Sequence, residues 1–295
     1  MNLSLSRSFP IAKAALAAAA IACTFALACS LTGCASGGTD SSSADADNTS
    51  ASTDGKTLRV AMELAYPPFE TKDDAGNPEG LAVDFIRDFG AAYGYDVQIE
   101  NTAWDGLIPS LQSDKADLVI SSMTITDERK QSVDFSDAYA MAQLAILANA
   151  DSGVASIDDL NQPGKKVAVK TGSTGDVYAT KNLTNAEIVR LADESACVTE
   201  VVQGKADGFL YDQLTIYRNH QANPDTTEAV FIPFQDAEEW GIAVKKGNTE
   251  LLDQLNAFIA QSKTDGEFDR LTEKYLSEEK KAFDQYGFKW FFDFE

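Results

Sequence analysis

The sequence predicts an α/β protein, its parallel or mixed β-sheets covered by helices and its folded part large enough for two lobes. Three observations carry that prediction. Strand-like and helix-like segments alternate through most of the chain. The part able to form a core runs to about 220 residues, enough for two lobes. Several apolar strands end in polar runs, where open α/β sheets hold their ligands.

Residues 57–62 and 96–100 read as strands. Between them, 83–93 reads as a helix with Phe85, Ile86, Phe89 and Tyr93 on one face. Residues 104–112 make a short helix carrying Leu107, Ile108 and Leu111. An apolar strand at 117–121 then ends in the polar run 121–126. A strand at 165–169 leads into Thr171-Gly172-Ser173-Thr174-Gly175 and a helix. Strands at 187–191 and 206–210 enclose a helix at 195–204. The last strand, 240–244, precedes a helix that Asn248 caps and that runs to Ser262, with Leu251, Leu252, Leu255, Phe258 and Ile259 at helical spacing.

The amino terminus has the layout of an export signal. Arg7 and Lys13 supply positive charge, and 14–28 is an apolar stretch of small and aliphatic residues. At about 15 residues it is shorter than the roughly 20 that an α-helix needs to span a bilayer. Removing residues 1–33 would take those two bases and no acid, moving the formal charge from −22 to −24. Such a surface repels phosphates, so nucleic acid is not expected as a partner. Residues 35–55 hold only Ala, Ser, Gly, Thr, Asp and Asn, and a flexible tether is expected there. Cys197, among Ala196, Val198, Val201 and Val202, reads as a small buried hydrophobe. With His220 the sole histidine, and expected at a solvated helix end, a zinc site lacks ligands, and no metal or cofactor is expected.

Four polar segments follow strands. Glu63 precedes Tyr66-Pro67-Pro68-Phe69, whose prolines would stiffen a loop bearing two rings. Those rings either face a ligand or plug the core beneath the turn. In Ser121-Ser122-Met123-Thr124-Ile125-Thr126-Asp127-Glu128-Arg129, the hydroxyls of Ser122 and Thr124 share a side if the chain is extended. Arg129 beyond them can grip a carboxylate with two parallel N–H bonds, or else serve as a surface ion pair. Lys170 to Asp176 leaves main-chain N–H groups free at a helix start, a seat for a negative group; it lacks the Gly-Lys-Ser/Thr of a P-loop. In Asp207-Gly208-Phe209-Leu210-Tyr211-Asp212, an acid at the strand end can accept from an ammonium. Together the groups suit a free amino acid, and no Ser–His–Asp or Cys–His set suggests hydrolysis.

These segments, in this order, resemble the amino-acid-binding proteins of ABC transporters, the bacterial solute-binding proteins of family 3. The similar stretches are Tyr66 to Phe69, Gly80 to Asp84, Trp104 to Leu111, Ser122 to Arg129, Asp134-Phe135-Ser136 with Tyr139, Gly164 to Gly175, Gly204 to Asp212 and Gly241 to Gly247. They span about residues 56–276. The resemblance implies a periplasmic-binding-protein-like fold, its lobes joined by two hinge strands, with 56–141 plus 241–276 as lobe 1 and 142–240 as lobe 2. It implies Arg129 on the ligand α-carboxylate, helped by Thr124 and the Ser173–Thr174 region. Asp212, Ser122 and Thr124 would take the α-ammonium. Tyr66, Phe69 and Trp104 would wall the side-chain pocket, and Glu63, Lys170 and Tyr211 would set specificity. Leu31-Thr32-Gly33-Cys34 resembles a lipobox, which implies a lipid on Cys34 and anchoring at the outer face of the cell membrane.

The expected function follows: an extracytoplasmic monomer that captures a polar amino acid, glutamine or cystine, and hands it to the permease subunits of an ABC importer. The alternative is an enzyme of the cyclohexadienyl dehydratase kind on the same scaffold. The chain departs from the family pattern in having Glu at 63, where many members carry Asp, and in the aromatic-rich extension 277–295. That extension is expected to pack on lobe 1 or to contact the membrane or permease.

Overall fold

The computed structural model describes residues 56–286 and 289–294. The export signal, Cys34 and the tether lie outside the described residues. The chain starts with β1 (Lys56–Met62), then a short hairpin of β2 (Thr71–Lys72) and β3 (Pro78–Glu79). The helix α1 (Leu81–Tyr93) leads to β4 (Tyr95–Asn101), and α2 (Leu107–Gln112) to β5 (Leu118–Val119). A single helical turn, α3 (Asp127–Lys130), precedes β6 (Val133–Phe135) and β7 (Ala140–Ala142). Next come β8 (Leu144–Asn149), α4 (Ile157–Leu160), β9 (Lys166–Lys170), α5 (Thr174–Asn182) and β10 (Glu187–Leu191). They are followed by α6 (Glu194–Val202), β11 (Gly208–Asp212), α7 (Gln213–Ala222) and β12 (Thr227–Val230). The chain then runs through β13 (Glu238–Trp240), β14 (Ala243–Lys245), α8 (Thr249–Ser262), α9 (Glu267–Tyr275) and α10 (Ser277–Tyr286).

Two five-stranded mixed sheets result, ordered β4-β1-β5-β14-β6 and β10-β9-β11-β8-β12. In the first, β1 is parallel to β4 and β5, while β14 runs antiparallel to β5 and β6. In the second, β9 is parallel to β10 and β11, and β8 is antiparallel to β11 and β12. The chain crosses between the sheets at β7 and returns at β13. These two strands pair antiparallel, Ala140 opposite Trp240 and Ala142 opposite Glu238, as the two hinge strands of the fold.

Successive side chains of a strand point to opposite faces, and here both faces are buried. In the first sheet, Val60, Met62 and Leu118 pack under α1, α8 and α9, whereas Ala61, Val119 and Ala243 pack under α2. In the second, Val167, Val169 and Leu210 face one core while Ala168, Phe209 and Leu147 face the other. Each fully buried large apolar side chain contributes about 1.5–3 kcal/mol. Cys197 is among those buried in the second lobe, where desolvation pushes its thiol up to about 12.

Several elements differ from expectation. The strand expected at 117–121 shortens to Leu118–Val119 because the chain turns into the site, with Ser122 at φ 46°, a left-handed conformation costly for a residue with a Cβ. The strand expected at 240–244 is two strands, because residues up to Trp240 belong to the hinge pair and those from Ala243 to the first sheet. The strand expected at 206–210 starts two residues later, and just before it the Asp207 side chain ties across to the start of β9, accepting from the Lys166 N–H and Lys165 Nζ. Tyr93 is 37% exposed rather than buried on the face of α1. His220 lies in the last turn of α7, with Nδ1 3.2 Å from the Thr227 hydroxyl.

The carboxyl-terminal extension closes the first core. Phe283, Trp290 and Phe291 are buried there, and Phe292 stacks on Phe268 of α9 at 4.6 Å. No described helix is long and apolar enough to cross a membrane.

Candidate functional site

The cleft between the sheets holds a pocket lined from both sides by apolar walls and polar groups. Ten of the twelve ligand-binding candidates line it: Glu63, Tyr66, Trp104, Ser122, Thr124, Arg129, Ser173, Thr174, Tyr211 and Asp212. They come from strand ends and helix starts on both sides. Glu63 follows β1, Lys170 ends β9, and Tyr211 and Asp212 end β11.

Local geometry explains their placement. The carbonyls of Pro68 and Phe69 accept from Leu81 N and Ala82 N at 2.9 and 2.8 Å, so the proline loop caps the start of α1. A Cβ on Gly80, which sits at φ 132°, would come within 2.4 Å of the Phe69 carbonyl oxygen, so only glycine permits this approach. Across the cleft, the Ser173 hydroxyl accepts from Asp176 N at 3.2 Å and caps α5. A side chain at Gly175 would meet the Leu210 carbonyl at 2.5 Å, so α5 starts close against β11. Asp212 caps α7, its Oδ1 accepting from Leu214 N at 2.9 Å and Thr215 N at 3.1 Å.

The Arg129 guanidinium lies 5.2 Å from the Trp104 ring and donates to the carbonyls of Thr124 at 2.7 Å and Gly172 at 3.2 Å. Neither carbonyl carries a charge. Burial pulls the Arg129 pKa below its ordinary value, and Glu238 acts the other way. A desolvated cation held by neutral acceptors is a ready seat for an anion.

Lys170 donates to Glu63 across the cleft, and the side chains are only 4% and 14% exposed. Lys170 Nζ also lies 5.2 Å from the Trp104 ring, and Glu63 accepts from Trp104 N at 3.3 Å. Lys170 opens on an adjoining chamber, which Glu63, Asp193, Glu194, Arg218 and Asn219 also line. The Tyr66 hydroxyl donates to Asp212 Oδ1 at 2.7 Å, a third bond across the cleft. Burial raises the Asp212 pKa, and the bonds from Tyr66, Thr215 and Leu214 oppose the rise. With these lobe-to-lobe bonds in place, the arrangement is closed.

Phe69 corrects the sequence reading. It is fully buried and does not line the cleft. It lies behind Tyr66, stacked at 5.6 Å and 11°, with Trp240 edge-on at 5.2 Å. The second ring of the proline loop is core support, because the turn directs it inward. The hydroxyls of Ser122 and Thr124 also reach the cleft differently from an extended chain: Ser122 donates to Glu70 at 3.2 Å and Thr124 to Glu238 at 2.9 Å.

Sequence reasoning missed Glu70, Ser121, Leu144, Glu238 and Trp240, all of which line the cleft. Glu70 directly follows the aromatic loop, and burial pushes its pKa well up. Glu238 accepts from both Thr124 and Thr174, at 2.9 and 2.7 Å, so a hinge strand reaches into the site. Its signal was two acids immediately before the strand placed at Trp240.

A two-lobed α/β body with hinge strands and a cleft pairing a desolvated Arg with capped carboxylates defines a solute-binding protein. The chain belongs to the bacterial extracellular solute-binding proteins, family 3, matching that family over residues 58–278. It is 35% identical over 265 residues to a probable histidine-binding protein of Neisseria gonorrhoeae, covering 89% of this chain and 95% of that one. It is 32% identical to the L-cystine-binding protein of Escherichia coli strain K12, over 75% of this chain and 82% of that one. A crystal structure of an ancestral amino acid-binding protein, a precursor of cyclohexadienyl dehydratase, is 38% identical with a TM-score of 0.68, covering 74% of this chain and 94% of the other. The protein is an amino-acid-binding protein of the ABC transporter type.

Proposed function

We propose that the protein captures glutamine, with cystine as the second choice, and delivers it to the permease of an ABC importer. The α-carboxylate sits on Arg129 beside the Ser173–Thr174 start of α5. The α-ammonium sits on Asp212 with Ser122 and Thr124, and the side chain passes between Tyr66, Trp104 and Tyr211. The single observation behind the specificity is the buried Glu63–Lys170 pair. A carboxamide offers an oxygen to Lys170 and an N–H to Glu63, so it satisfies both, whereas a basic side chain meets the ammonium of Lys170. Cystine draws support from the adjoining chamber, where Asp193, Arg218 and Asn219 give its second half polar company.

Glu63 and Lys170 are the groups an enzyme of the dehydratase kind would use as acid and base. Their direct ion pair ties each group to the other, which favours binding over catalysis. The lipid on Cys34 would hold the protein, as a monomer on its tether, near the permease.

A thermal-shift screen with the common amino acids and cystine tests the reading, because a ligand that binds only the folded state raises stability by RT ln(1 + [L]/Kd). Glutamine or cystine should give the largest rise. A larger rise with arginine would overturn the specificity, and recovery of a chemically altered ligand would overturn binding without catalysis.

A further inference from the structure

The carboxyl-terminal extension lies almost wholly beyond the family match, which ends at residue 278. Its aromatic residues do more than fill the first core. Phe291 touches both hinge strands: its carbonyl accepts from Met141 N of β7 at 2.7 Å, and its ring lies 5.5 Å from Trp240 of β13. The same ring is 5.1 Å from Phe69, the ring stacked behind Tyr66 of the cleft. Earlier in the extension, α10 reaches the second lobe. Phe283 meets Tyr217 of α7 edge-on at 5.8 Å, and Glu279 lies 3.9 Å from Arg218. Arg218 in turn donates to the Pro67 carbonyl at 2.7 Å, on the aromatic loop of the first lobe.

We propose that α10 together with residues 289–294 forms a strap across the hinge that favours the closed arrangement. The strap is anchored on the first lobe, where Trp290 Nε1 donates to Thr272 of α9 at 3.3 Å. From that anchor it grips α7 of the second lobe in the closed form. Opening turns the lobes about β7 and β13, so contacts from the strap to α7 and to the hinge strands differ between the two states. Only such a difference can bias the equilibrium. The proposal rests on the reading of the cleft as one that opens and closes, and it is independent of which amino acid binds.

The test uses the full-length chain with Glu279→Lys, which sets two cations against each other, and Tyr217→Ala, which removes the edge contact. Both positions lie outside the cleft. Small-angle X-ray scattering of the ligand-free protein reports opening, and calorimetry with L-glutamine reports affinity. Both variants should enlarge the ligand-free protein, and affinity should fall about three- to tenfold as the closed fraction shrinks. Wild-type dimensions in both variants, with only a lower Tm, would overturn the strap. If L-glutamine fails to bind while the variants still expand, the strap stands and the ligand assignment falls. Enlarged variants whose dimensions no amino acid contracts would overturn the closure that the strap is proposed to favour.

Discussion

Arg129→Ala separates a ligand-binding guanidinium from one that merely joins the lobes. In the structure Arg129 spends its hydrogen bonds on two neutral carbonyls, Thr124 and Gly172. Losing them costs about 1 kcal/mol each, and release of a desolvated charge offsets part of that. Unfolding stability should therefore change by no more than about 1–2 kcal/mol. The ligand carboxylate, in contrast, loses a charged partner in a site that burial has desolvated. That loss runs to about 2–5 kcal/mol, or roughly 30- to 5,000-fold in Kd. Arg129→Lys keeps the charge and loses the two-pronged geometry, so it should fall between. Titration calorimetry with the ligand chosen by the thermal screen measures all three proteins. Arg129→Ala binding within tenfold of wild type, with its melting temperature unchanged, would refute the assignment.

Lys170→Met leaves Glu63 buried without its cation, so glutamine binding should weaken at least about tenfold while lysine or arginine gains; a competition assay showing unchanged preference would count against the pair as the specificity device. Burial pushes the Glu194 carboxyl up to about 8 from an ordinary 4.5. Between those values the native state keeps a proton that the unfolded chain has lost. The favourable contribution is complete below about 4.5 and is lost as pH rises through about 8. Glu194→Gln should thus raise stability by about 1–3 kcal/mol at pH 9 and little at pH 4.5, and parallel pH–Tm curves for the two proteins would contradict the burial. Cys34→Ala should leave ligand affinity intact while uptake into cells falls; uptake at wild-type level in cells that shed the protein would assign the tether another purpose.

Much of the fold is legible because both sheets are buried on both faces. Runs such as residues 166–170 and 208–212 then stand out as mostly buried strands against amphipathic helices like α8. The polar segments after those strands located most of the cleft for the same reason. What the sequence concealed was direction. Tyr66 and Phe69 are similar rings three residues apart, and only the fold of the proline loop sends one to the cleft and the other to the core. Glu238 was hidden because hinge and sheet are one continuous segment in sequence, and nothing local marks where the chain stops serving one and starts serving the other. Ser122 defeats periodicity outright, since its left-handed backbone breaks the alternation that an extended chain would show.

The buried faces of the two sheets have a mechanical consequence. A sheet cored on both sides behaves as a stiff plate, so neither lobe has a soft side through which to absorb ligand contacts. Compliance collects in the three-residue ladder where β7 meets β13. Binding is thereby converted into one angle between two plates, and whatever docks on the protein can distinguish full from empty by that angle without touching the amino acid.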